Sequence, residues 1–280
     1  MVAVVLVRPQ VQADAEAVGD AVADLVLDRI RTTPSTRPFL LGCPGGRSLQ
    51  TTYRRLAGAA AAELLDLSRL VIVMMDEYVL PLRGGFEPVH PTELHSCRRF
   101  GAEEIVGELN RALTAAGAPQ HFLVPAGSLW LPDPRRPHAY DRRLADAGGV
   151  DLFLLASGAG DGHVAFNPPG TDPASRTRVV SLPDSTRRDN LATFPSFGGE
   201  LAAVPSHGVT VGIATIRELS AEVVMVAHGV DKQEAVRRLA AADRYDAAWP
   251  ASVVADCRRP HLVVDRAAAG DLVPNAFDVV

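Results

Sequence analysis

Four short segments carry side chains able to do chemistry. In Ser157-Gly158-Ala159-Gly160-Asp161-Gly162-His163 a histidine sits in a glycine-rich turn, followed by apolar Val164, Ala165 and Phe166. An imidazole takes up and returns a proton near neutral pH, and Asp161, two residues earlier, is spaced to orient the ring or help bind a substrate. Asp76 and Glu77 follow the apolar run 70–75. Burial there would raise a carboxyl pKa and suit a general base, although two acids at such a point also cap helix starts or form ion pairs. In Gly42-Cys43-Pro44-Gly45-Gly46-Arg47-Ser48, the stretch Gly45, Gly46, Arg47 and Ser48 is the candidate anion-binding loop. Glycines admit an anion to backbone N–H groups, and a helix start favours negative charge. The loop matches neither a Walker A motif nor GxGxxG, and an ordinary strand–helix turn with Ser48 as N-cap would read the same. Lys232 is the only lysine among 28 basic residues. Its survival in an arginine-biased chain reads either as chance on a surface or as a place where a compact ammonium is needed. It lies just after Gly229 at a helix start, where a cation is disfavoured unless an anion is near. No His, Cys or Asp spacing fits a metal site, so no metal is expected.

The elements that must position these groups alternate short apolar runs with amphipathic stretches, as in an α/β sheet with crossover helices. Strands are expected at 2–7, 39–42, 70–75, 151–157, 177–182, 209–213, 222–227 and 261–265, and helices at 11–31, 48–65 and 231–242. The Pro-, Gly- and His-rich stretch 80–95 reads as a long loop, with His90 and His95 able to line or cap a site. The fold class is therefore α/β, with one mostly parallel central sheet and helices on both faces, a Rossmann-like arrangement. In such sheets ligands bind beyond the carboxyl ends of the strands, so the four segments should converge on one cleft. No repeat, linker or composition shift divides residues 1–280, which read as one domain.

Composition narrows the function. Hydrophobic and charged contents of 47% and 22% are those of a globular chain. A net charge of −5 argues against nucleic acid or an anionic membrane as partner, and no apolar run is long enough to span a bilayer. The apolar N-terminus lacks the basic segment and cleavage site of a signal peptide. Cys43, Cys97 and Cys257 are far apart and odd in number, which points to a reducing cytoplasm and not a disulfide framework.

Taken together the chain resembles the glucosamine-6-phosphate deaminase/isomerase family, part of a wider group with the 6-phosphogluconolactonases. The resemblance covers roughly residues 15–265 and rests on blocks in the family's order. These are Arg37-Pro38-Phe39-Leu40-Leu41-Gly42 with Thr51-Thr52-Tyr53, then Met75-Asp76-Glu77-Tyr78-Val79 with His90-Pro91 and His95-Ser96. Asp161-Gly162-His163-Val164-Ala165-Phe166-Asn167 follows, then Ser175-Arg176-Thr177-Arg178, Val204-Pro205, Val209-Thr210-Val211-Gly212, Lys232 and Trp249. It implies a phosphorylated 2-amino sugar as partner, with its phosphate on the amides of the 42–48 loop and on Lys232. It implies that His163 opens the pyranose ring, that Asp76 moves a proton between C2 and C1, and that Asp161 holds the substrate or the His163 ring. The ketose imine then loses ammonia to water. No cofactor is implied, because the adjacent carbonyl acidifies the C2 proton. A homo-oligomer is left open.

The chain departs from the family at two places. Pro168 stands where the family's signature continues to a glutamate that partners the histidine, which implies slow ring opening of glucosamine 6-phosphate unless another acid serves, Asp172 and Glu77 being the candidates. Ala192 stands where a phosphate-binding arginine is expected, with Arg187, Arg188 or Arg47 as replacements. Two other readings follow. A sugar-phosphate lactonase would need no acid at 168, but such enzymes carry Asp-Glu-Arg where this chain has Asp76-Glu77-Tyr78 and lack the Ala165-Phe166-Asn167 continuation. A non-catalytic sugar-phosphate sensor would use the same pocket.

Overall fold

The strand and helix patterns assemble into two sheets, seen in a computed structural model that describes residues 6–272. Along the chain β1 (Pro9–Gln12) leads through α1 (Ala15–Thr32) to β2 (Phe39–Cys43), and α2 (Gln50–Ala62) to β3 (Leu70–Met74). A hairpin follows, β4 (Asp76–Leu82) and β5 (Gly85–Pro88), then α3 (Cys97–Phe100), α4 (Gly107–Ala115), β6 (Leu129–Trp130) and α5 (His138–Asp146). Next come β7 (Leu152–Ala156), β8 (Arg178–Ser181), α6 (Asp184–Thr193), β9 (His207–Thr210), α7 (Ile213–Leu219) and β10 (Val223–Ala227). The last are α8 (Gln233–Ala241), β11 (Pro260–Asp265) and α9 (Arg266–Ala269).

The large sheet has seven parallel strands in the order β1-β11-β10-β7-β2-β3-β6. Its central strands are apolar along their whole length because both faces are covered. Leu40, Val73, Phe153, Leu155 and Met225 point to one face, with Tyr140 of α5, Ile216 of α7 and Val236 of α8. Leu41, Ile72, Leu154 and Val226 point to the other, with Val22 and Val26 of α1, Leu56 of α2 and Leu109 of α4. From β2 the chain moves outward to β3, whereas from β7 it moves the opposite way to β10. The direction reverses between β2 and β7, and a crevice opens there beyond their carboxyl ends.

Two expectations change. The strand expected at 2–7 lies largely outside the described residues, and the edge strand is Pro9–Gln12, paired with β11. The stretch 80–95 is no uninterrupted loop: β4 and β5 form a hairpin in a second, antiparallel sheet of order β5-β4-β9-β8. Alternation in Tyr78-Val79-Leu80 and Phe86-Glu87 is masked by Pro81, Pro88 and two glycines, which a sheet edge tolerates. The small sheet has its own core of Tyr78, Val89, Phe166, Leu182, Phe197 and Val204. The strand run β3–β4 passes from one sheet into the other at Met75, whose carbonyl accepts from Val211 N. Asp76 is thus held at the seam, opposite Thr210. Among the described residues no helix is long and apolar enough to cross a membrane.

Candidate active site

Beyond the carboxyl ends of the central strands lies a cavity of about 420 Å³. The four segments converge on it: Gly45, Gly46, Arg47 and Ser48 after β2, Asp76 at the start of β4, His163 after β7 and Lys232 after β10 all line its wall.

One side of the cavity is built twice over. Gly46 (φ 93°) after β2 and Gly229 (φ 92°) after β10 each take a backbone shape that favours glycine, and each opens a single 3₁₀ turn leading into a helix, α2 and α8. The first N–H groups of a helix have no intrahelical acceptor, so both starts offer donors and positive potential. The His228 ring ties the two loops together through Ser48 O at 3.2 Å. Lys232 Nζ donates to Ser157 O at 2.9 Å. Burial lowers its ammonium below the ordinary value, and nearby Asp231, Asp189 and Asp161 oppose that.

His163 is fixed from several sides. Its Nδ1 lies 2.6 Å from Asp161 Oδ1, and its backbone N–H donates to the same oxygen at 3.1 Å. A carboxylate only accepts, so Nδ1 carries the proton and Nε2 is left basic. Burial pushes the Asp161 carboxyl up, but the bonds from His163 and from Thr186 together hold it well below its ordinary range. A Cβ at Gly158 would come within 2.2 Å of His163 Nδ1, and one at Gly162 within 2.2 Å of the Trp249 ring. Both glycines are therefore needed for close approach. Ala165 adopts a left-handed φ of 50°, strain of the kind found where a site is held under tension. Asp161 itself does not line the cavity; it reaches the site through the ring.

The adjacent acids divide their work. Glu77 is turned inward, and its carboxylate accepts from the backbone N–H groups of Tyr78, Cys97 and Arg98 and from Ser96 Oγ, all at 2.8–3.0 Å. It closes the start of α3 and takes no part in the cavity wall. Asp76 faces the cavity but is only 6% exposed. Burial pushes its carboxyl up to about 7; the Cys97 thiol, 3.3 Å from Oδ1, pulls it back, Glu77 adds to the rise and His163 opposes it.

Of the expected substitutes, Arg188 and Arg47 line the cavity. Arg187 does not, being tied to the carbonyls of Leu201 and Val204. Pro168 and Asp172 are off the wall. His95 packs instead on the rings of Tyr78 and Phe197, and exposed His90 bonds Thr92. Sequence reading missed α6, which contributes Arg188, Asp189, Asn190 and Thr193. Thr186, Asp189, Asn190 and Thr193 follow helical spacing i, i+3, i+4, i+7. A polar stripe at the period normally reserved for apolar residues is the signal that could have found it.

No family model matches the chain. It is 38% identical over 256 residues to a glucosamine-6-phosphate deaminase of Rhodococcus opacus, covering 91% of this chain and 88% of that protein. A solved monomeric glucosamine-6-phosphate deaminase superposes with a TM-score of 0.77 at 26% identity, covering 94% and 98% of the two chains. The 6-phosphogluconolactonase of Trypanosoma brucei superposes at 0.65 with 21% identity over 95% and 98%, a likeness of fold alone. Relatedness at this level over nearly the whole length, on top of the shared sheet and the motifs around the cavity, establishes that the chain belongs to the glucosamine-6-phosphate deaminase family.

Proposed function

We propose that the protein converts glucosamine 6-phosphate, a phosphorylated 2-amino sugar, to a ketose phosphate and ammonia. The observation that carries this reading is one cavity that brings Lys232, Arg47 and two helix starts together with Asp76 and His163. The 45–48 loop, the two helix starts and Lys232 suit a phosphate, and Asp76 and His163 suit the aldose end of the same molecule. His163 Nε2 takes the proton of the anomeric hydroxyl and returns it to the ring oxygen as the C1–O5 bond breaks. The aldehyde formed acidifies the C2 proton, which Asp76 removes and delivers to C1, while a proton of the amine passes to O1. The resulting ketose imine adds water and expels ammonia.

The deciding assay offers the protein glucosamine 6-phosphate and, separately, 6-phosphogluconolactone. Equimolar ammonia and ketose phosphate are expected. Lactone hydrolysis without ammonia release would replace this reading with the lactonase one, and saturable binding without turnover would replace it with the sensor.

A base must be unprotonated to act. With its carboxyl raised to about 7, Asp76 is increasingly protonated below that pH, so kcat/KM should fall about tenfold per unit on the acid side. The Cys97 thiol holds that carboxyl down, so Cys97→Ala should shift the acid limb to higher pH. The pH profiles of the two proteins, measured side by side, check this; a limb that moves to lower pH would assign it to another group.

A further inference from the structure

The loop that carries His163 has a second carboxylate beside it. Helix α6 lies over this loop and grips it at three points. Ser185 Oγ and Thr186 Oγ1 each donate to Asp161 Oδ2 at 2.9 Å, and Asp189 Oδ2 accepts from Ala159 N at 3.2 Å. Asp189 Oδ2 stands 3.9 Å from His163 Nδ1, with its side chain 30% exposed on the cavity wall. Asp161 is saturated: one oxygen takes both N–H groups of His163 and the other takes the two hydroxyls. Among the described residues two further carboxylates act on the ring: Asp76, which the C2 step needs as its base, and Asp189, which keeps unused acceptor capacity beside Nδ1; Glu77 is occupied at α3, and Pro168 and Asp172 are off the wall.

We infer that Asp189 is a positioning residue for ring opening, which steadies the protonated form of His163 and so makes a carboxylate after Asn167 unnecessary. The inference rests on the deaminase reading. In the step concerned the C1–O5 bond breaks, the anomeric O–H proton passes to His163 Nε2, C1=O forms, and the same proton is handed to O5. The imidazolium exists only between those two transfers, and two carboxylates at Nδ1 stabilise it where one would do so less. Asp189 acts through the ring, so its loss should slow ring opening; because its charge also stands near Lys232, the loss should not weaken phosphate binding. It also removes the expectation that Pro168 makes this a weak deaminase.

The test measures ammonia release from glucosamine 6-phosphate and from its C2-deuterated form by the wild type, Asp189→Asn and Asp189→Glu, with thermal midpoints recorded for each. Asp189→Asn should lose about 10- to 100-fold in kcat with KM raised by less than about threefold. It should also show no deuterium effect on kcat/KM, because ring opening precedes the C2 step and has become limiting. Asp189→Glu, which keeps the charge, should retain most of the turnover. Turnover of Asp189→Asn within about threefold of wild type, or a deuterium effect expressed in that variant, would overturn the inference. So would wild-type activity abolished by a chelator and restored by a divalent cation, which would make Asp161, His163 and Asp189 a metal site. A wild type that releases no ammonia at all would instead defeat the deaminase reading.

Discussion

Asp76→Asn is expected to reduce turnover of glucosamine 6-phosphate by about 10²–10⁴, the usual contribution of a placed general base, while phosphate-ligand affinity stays near wild type. The geometry makes this the larger of the catalytic losses. Asp76 is held at the seam between the two sheets, almost wholly buried, with a single thiol on Oδ1. An amide there keeps the shape and cannot accept the C2 proton. The same substitution should make the protein more stable. A carboxyl whose pKa is about 7 folded and near 3.9 unfolded binds its proton more tightly in the native state. Its ionised form therefore weakens the fold most above pH 7, and the penalty fades as pH falls toward the unfolded value. Asn carries no charge, so the thermal midpoint at pH 8 should rise by several degrees, and the gain over wild type should shrink below about pH 5. Steady-state kinetics beside thermal melts at pH 8 and 5 check both signs. Unchanged turnover would remove Asp76 from the mechanism, and lost activity with a lower midpoint would mark a folding defect.

Lys232→Ala should weaken productive binding of the phosphorylated sugar by about 2–5 kcal/mol, seen mainly in KM. The ammonium is half-buried, donates to Ser157 O, and stands with Arg47 where two helix starts meet. Burial there lowers its pKa, so the protein holds a partly desolvated cation whose return comes only when a dianion arrives. The effect should be absent for unphosphorylated glucosamine, assayed at matched saturation. Equal losses on both sugars would show that Lys232 supports the loop and does not bind the phosphate.

Much of this was legible in the primary structure. Apolar runs buried on both faces can only be strands of a covered sheet, and that architecture puts its ligand site at the strand ends. Gly45, Asp76, His163 and Lys232 therefore had to meet once the alternation was read. A lone lysine and a histidine among three glycines stood out because local chemistry alone makes them expensive to keep. The tertiary structure decided what depends on long-range pairing. Whether Asp76 or Glu77 faced the cavity followed from the register of β4 on β9, since adjacent strand residues point to opposite sides. The hairpin at 76–88 was hidden because prolines and glycines read as loop until an edge strand tolerates them. Asp189 was out of reach for a similar reason. It lies 26 residues beyond His163 on a short polar helix. Only the packing of α6 over the glycine loop, through Ser185, Thr186 and Ala159, sets its carboxylate beside the imidazole.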